Sequence, residues 1–186
     1  MAALKRSAPR GKAGPWSQLP DGATVLVDTA PWIYLLQNHP VFAPRFEGLF
    51  VATEEGRLQL ALSTITLAEV LTGPFKAGEV ALAKRYEKAL SNYQVMPLSA
   101  AVASLAAQLR AQYGLKLPDA VQLATALDMG AAALVTHDRD FSAVHGIPVL
   151  YGAGDSRATP WPRPTLPRDE KTGGRAPSAR EPLQRL

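Results

Sequence analysis

Residues 23–32 read Ala-Thr-Val-Leu-Val-Asp-Thr-Ala-Pro-Trp, and the stretch changes character at Asp28. The first five residues are apolar or β-branched, a short run expected to form a buried strand. Thr29 is a good helix N-cap, and Pro31 suits a first helical turn, where its missing N–H is not needed. Trp32, Ile33, Leu35 and Leu36 then give that helix an apolar face. A strand that hands an acid directly to a helix start is the unit from which the remaining chain is read.

The same alternation continues outward. A helical segment over 41–55 closes near Gly56, and Leu-Gln-Leu-Ala-Leu at 58–62 is a second strand. Ser63 or Thr64 caps a helix carrying Leu67, Glu69, Val70 and Leu71, which Gly73-Pro74 is expected to stop. Residues 77–90 read as helix and 93–96 as a short strand. Ser99 caps an alanine-rich helix to about Tyr113, and another helix runs from near Pro118 to Gly130. Residues 132–135 form a fourth strand leading into Thr136-His137-Asp138-Arg139-Asp140-Phe141, and 147–150 a final edge strand. Strands separated by helical crossovers predict the α/β class: a three-layer α/β/α sandwich with a central, mainly parallel sheet. In such sheets ligands bind beyond the carboxyl ends of the strands.

The chain has 186 residues, 47% hydrophobic and 19% charged, enough for one domain with a proper core. No window approaches the ~18 apolar residues of a membrane span, and the basic first 20 residues lack the apolar run of a secretory signal. The absence of cysteine excludes a disulfide framework, a thiolate zinc site and a cysteine nucleophile. These features agree with a cytoplasmic location. The net charge of +4 is unevenly spread. Residues 1–20 carry four basic groups and no acid, 151–186 carry seven basic and four acidic groups, and 21–150 is net −3. Both ends are rich in Pro, Gly, Arg and Ser without hydrophobic period. We therefore expect disordered tails over 1–20 and 152–186 flanking one domain over 21–151. Basic tails add salt-sensitive attraction for nucleic acid, although a solvated terminus without a role is the commoner case.

Four separate segments deliver acids to one rim of such a sheet. Asp28 directly follows strand one, and Asp138 lies just past strand four. Glu69 falls in the first turns after strand two, and Asp119 near the start of the helix that precedes strand four. Each has a plainer reading alone: a cap for Asp28, a solvated charge for Glu69, a macrodipole partner for Asp119, turn residues for Asp138 and Asp140. Together they repel and raise one another's pKa, which a divalent cation compensates. Hard oxygen donors without Cys or His select Mg²⁺ or Mn²⁺ over zinc, and such metals support phosphodiester cleavage. Competing α/β chemistries fail locally. Asp28-Thr-Ala-Pro31 has neither the glycines of a dinucleotide-binding turn nor the Gly-Lys-Ser/Thr of a P-loop. Ala30 stands where a phosphoaspartate phosphatase needs its second Asp, and no Gly-x-Ser-x-Gly elbow exists.

Four stretches carry a resemblance. They are Val25-Leu-Val-Asp28-Thr29, Leu62-Ser-Thr-Ile-Thr-Leu-Ala-Glu69-Val70, Leu117-Pro-Asp119-Ala-Val-Gln-Leu-Ala-Thr-Ala126 and Leu134-Val-Thr136-His-Asp138-Arg-Asp140-Phe141. In this order, over about 23–150, the chain resembles PIN-domain ribonucleases, and among them the VapC-type toxins of toxin–antitoxin pairs. The resemblance implies a PIN-like fold and an acidic quartet of Asp28, Glu69, Asp119 and Asp138 around Mg²⁺ or Mn²⁺. Asp140 is a fifth acid, and the sequence leaves open whether it or Asp138 faces the metal. Thr29 and Thr136 correspond to hydroxyls that orient ligands or water. The Pro-rich tails depart from a compact toxin, and His137 occupies a variable position and reads as a turn residue.

The expected activity is metal-dependent endoribonuclease cleavage by the toxin half of a toxin–antitoxin pair. The alternative is a non-catalytic PIN-like module that binds RNA or protein, which Mg²⁺-dependent cleavage would distinguish. RNA approaching a net-acidic core needs positive charge near the rim, and Lys116 and Arg139 are the best-placed candidates. Lys84, Arg85 and Lys88 read as a solvated helix face. Core packing is the commoner use of side chains such as Trp32, Leu35, Phe46 and Phe50, and any part of that apolar surface left exposed would suit an antitoxin helix. The resemblance also implies a homodimer.

Overall fold

The computed structural model describes residues 14–154. Five strands, β1 (Ala23–Val27), β2 (Leu58–Ser63), β3 (Gln94–Met96), β4 (Ala133–Val135) and β5 (Val149–Leu150), form one sheet in the order β3-β2-β1-β4-β5. Every pairing is parallel, so the sheet is wholly rather than mainly parallel. Six helices connect it: α1 (Thr29–Leu36), α2 (Ala43–Glu54), α3 (Thr64–Lys76), α4 (Val80–Leu90), α5 (Ala100–Tyr113) and α6 (Leu117–Asp128).

The alternation of side chains along β1 explains the layers. Val25 and Val27 point into one core with Trp32, Phe46 and Leu49 of α1 and α2, Val70 of α3 and Leu90 of α4. Leu26 points into a second core with Val102 and Ala106 of α5, and Leu123 and Ala124 of α6. Two cores on opposite faces of one sheet make the predicted α/β/α sandwich. Caps fix the helix entries: Ser63 Oγ accepts from Thr66 N at 3.1 Å, and Ser99 Oγ from Val102 N at 3.1 Å.

Three expectations need correction. Gly73-Pro74 does not stop α3, which continues to Lys76: the proline ring is buried, and the following turn closes through Ala77 N–H to Gly73 O. Burial thus overrides the breaker. The next helix starts at Val80 rather than at 77, since Gly78 turns the chain at φ +74°. The domain also begins before residue 21: Pro15–Gln18 forms a 3-10 turn, and Trp16, only 2% exposed, packs on Phe46 with Leu19 beside it. At the other end Ala153 N–H bonds to Arg45 O, so packing extends past 151. The remainder of the expected tails, 1–13 and 155–186, lies outside the described residues.

Candidate active site

At the carboxyl end of β1, Asp28 N–H bonds to Val135 O, which carries the β1–β4 ladder one residue further and fixes where the acid emerges. Asp28, not Thr29, is the N-cap of α1: its Oδ1 accepts from Thr29 N at 2.7 Å. Its Oδ2 accepts from the Thr136 hydroxyl at 2.7 Å. Thr136 is fully buried, and its Oγ1 in turn accepts from Asp138 N at 2.9 Å. One hydroxyl therefore couples the acid after β1 to the turn after β4.

Glu69, in the second turn of α3, is held from the other side, where the Thr29 hydroxyl donates to its Oε2. Behind Thr29 lies a polar chain that sequence reasoning missed. Gln122 of α6 donates through Nε2 to Thr66 Oγ1 at 2.6 Å and to Thr29 Oγ1 at 3.4 Å. Gln122 and Thr66 are both buried. The signal was present: Gln122 interrupts an apolar window three residues after Asp119, and Thr66 stands three before Glu69, so each shares a helix face with an acid.

Asp119 lies in the first turn of α6. Asp28, Glu69, Asp119 and Asp138 together line one open cavity of about 420 Å³, floored by Ala30 and Ile33. One carboxylate oxygen from each of Asp119, Asp138 and Asp140 falls within 4.8 Å of the others. Asp138 faces the cavity, whereas Asp140 pairs with Lys116 Nζ at 3.0 Å on the rim. Arg139 is exposed in the same turn.

The electrostatics follow from crowding. Burial pushes the Asp28 carboxyl above its ordinary range; the hydrogen bonds from Thr136 and Thr29 oppose this, and the charges of Glu69 and Asp138 reinforce it. Asp119 is pushed up to about 6, first by burial and then by Asp28 and Asp138, with Lys116 pulling the other way. The Asp140 partnership raises Lys116. The Asp119 Oδ2 atom is buried and has no hydrogen-bond partner among the described residues. A buried, unclaimed carboxylate oxygen among three further acids fits a hard divalent cation, and the donors are all oxygen.

The PIN domain family model matches residues 25–147, the span that contains all five acids. The chain belongs to the PIN-domain family. Among solved structures, this PIN domain is similar to a toxin–antitoxin complex from Klebsiella pneumoniae at 32% identity and TM-score 0.54, covering 66% of this chain and 94% of that one. Two more distant likenesses show the fold alone. VapBC from Salmonella typhimurium bound to DNA matches at 22% identity and TM-score 0.58, over 69% of this chain and 98% of that one. VapC20 from Mycobacterium tuberculosis, a sarcin–ricin-loop-cleaving toxin, matches at 18% identity and TM-score 0.52, over 64% and 93%. No curated protein matches the chain. Among the described residues no helix of the PIN domain is long and apolar enough to cross a membrane.

Proposed function

We propose that the chain is a Mg²⁺- or Mn²⁺-dependent endoribonuclease, the toxin component of a toxin–antitoxin pair acting in the cytoplasm. The observation that carries this reading is the convergence of Asp28, Glu69, Asp119 and Asp138 on one cavity in which Asp119 Oδ2 is buried without a partner. Those four carboxylates would hold the metal, with Asp140 and its Lys116 partner on the rim. The bound ion supplies charge stabilisation at the phosphodiester and activation of the attacking water.

The chain's own groups do the positioning. The Thr136 hydroxyl and Thr29 N–H fix both oxygens of Asp28. The Thr29 hydroxyl, backed by Thr66 and Gln122, fixes Glu69. Lys116 and Arg139 offer positive charge to the phosphate backbone at the mouth of a net-acidic domain. The Klebsiella pneumoniae toxin–antitoxin relative supports an antitoxin partner for this chain. Core packing takes most of the group named for it, since Trp32, Phe46 and Phe50 are buried, and of these residues only Leu35 is exposed to offer apolar surface. A homodimer accompanies this proposal through the family resemblance.

Purified protein incubated with total RNA should cleave it in Mn²⁺ or Mg²⁺ and stop when EDTA is added. Binding of RNA without cleavage in either metal would instead identify a non-catalytic module. Thr66→Val removes the hydroxyl between Gln122 and Thr29 while conserving volume. We expect it to lower cleavage about 10- to 100-fold and to lower the melting temperature by several degrees, because the buried Gln122 Nε2 loses its 2.6 Å acceptor. Unaltered kcat in a folded Thr66→Val protein would show that Glu69 needs no such support.

A further inference from the structure

A second cavity, of about 460 Å³, opens beside the acidic one and is walled by Tyr34, His137 and Arg139; Ala30 and Asp138 line both cavities. Its aromatic wall is built in advance. Tyr34 Oη lies 2.7 Å from His137 Nδ1, a hydrogen bond that ties α1 to the turn after β4. Phe42 stacks behind Tyr34 with ring centroids 4.8 Å apart and lies 4.8 Å from the His137 ring. His39 closes the cluster at 5.5 Å from Tyr34, and its own Nδ1 accepts from the Val41 and Phe42 N–H groups. His137 is thus more than the turn residue expected from sequence.

We propose that this cavity seats the base of a nucleotide flanking the scissile phosphate, and that Tyr34 and His137 determine which base is accepted there. The proposal rests on the ribonuclease reading above. Continuity carries it: Ala30 and Asp138 line both cavities, so the nucleotide next to a phosphate held over the acidic cavity would reach the aromatic one. The chemistry agrees. Unpaired bases are recognised by rigid aromatic faces beside a cation, and Arg139, which forms no ion pair among the described residues, supplies that cation for the adjoining phosphate. Rings already locked by Phe42 and by the Tyr34–His137 bond lose little freedom when a base stacks on them.

The test uses the full chain in Mn²⁺ and an RNA with one cleavage site, in which each flanking position in turn is made abasic. In the native protein the abasic nucleotide at one flanking position should raise KM about 10- to 100-fold, the loss of one stacked base. His137→Ala should raise KM on the intact RNA by a similar factor, with kcat nearly unchanged and no further loss on the abasic RNA. Tyr34→Phe keeps the ring and its packing but removes the Oη–Nδ1 hydrogen bond to His137, and should raise KM about three- to tenfold and blur base preference at that position alone. If His137→Ala fails to fold, the Tyr34→Phe result decides. An abasic penalty identical in the native and variant proteins overturns the subsite while leaving the ribonuclease reading intact, even if the variants melt earlier. Absence of any RNA cleavage by the native protein in either metal overturns both.

Discussion

Asp119→Asn is expected to lower metal-dependent RNA cleavage by at least about a thousandfold, roughly 4 kcal/mol of transition-state stabilisation, while leaving the fold intact. The reason is local. Asp119 Oδ2 is the one carboxylate oxygen in the cavity that is buried and unclaimed, so changing it removes charge without breaking a bond that holds the structure. Asp28→Asn should abolish activity as well but is a less clean variant. Both of its oxygens are engaged, one capping α1 and one accepting from Thr136, so an amide there also disturbs the start of the helix.

The same substitution has a signature without RNA. The folded chain holds the Asp119 proton up to about pH 6, against an ordinary value of 3.8. Between those values the folded state binds more protons than the unfolded chain, so metal-free stability falls as pH rises through the window. Asn mimics the protonated form. In EDTA near pH 7.5 the variant should therefore melt a few degrees above the native protein, with the difference vanishing near pH 4. Adding Mn²⁺ should raise the melting temperature of the native protein and scarcely that of the variant. Equal response of both proteins to Mn²⁺ would remove Asp119 from the proposed ligand set.

The largest stability effect is expected at Trp32. Its side chain is 1% exposed, with ring centroids 5.3 Å from Phe50 and 4.7 Å from Tyr93, and its indole N–H donates to Val27 O at 3.1 Å. Trp32→Ala should cost about 3–5 kcal/mol in urea unfolding, a large share of the ~5–15 kcal/mol typical of a domain. Trp32→Phe restores most of the volume but leaves the Val27 carbonyl without its donor, so an intermediate loss is expected. Because Val27 immediately precedes Asp28, both variants should also weaken cleavage. A Trp32→Ala protein as stable as the native one would show that α1 is held by contacts other than this ring.

Much of this is legible in the amino-acid sequence. The strands announced themselves as apolar runs, and each acid lay where a parallel sheet exposes residues, so the gathering of Asp28, Glu69, Asp119 and Asp138 on one cavity followed from order alone. What escaped depends on three-dimensional burial. Pro74 reads as a breaker until its ring is seen to be buried inside α3. Trp16 stands in a basic, proline-rich stretch whose composition resembles a tail, and only its contact with Phe46 reveals it as part of the domain. Thr66 and Gln122 are ordinary helical residues until their mutual distance is known. The partnership of Tyr34 with His137 spans 103 positions, beyond the reach of any local pattern.

The strand order has a practical corollary. β1 lies between β2 and β4, so the two halves of the chain meet along the ladder that pairs Val25 with Ala133 and Val27 with Val135. The exposed Pro97–Leu98–Ser99 connection leads from one half to the other. Severed there, one fragment keeps Asp28 and Glu69 and the other keeps Asp119 and Asp138, so neither owns a complete cage. Fused to two binding modules, the fragments would form a conditional switch, silent apart and assembled only when the modules bring their strands edge to edge.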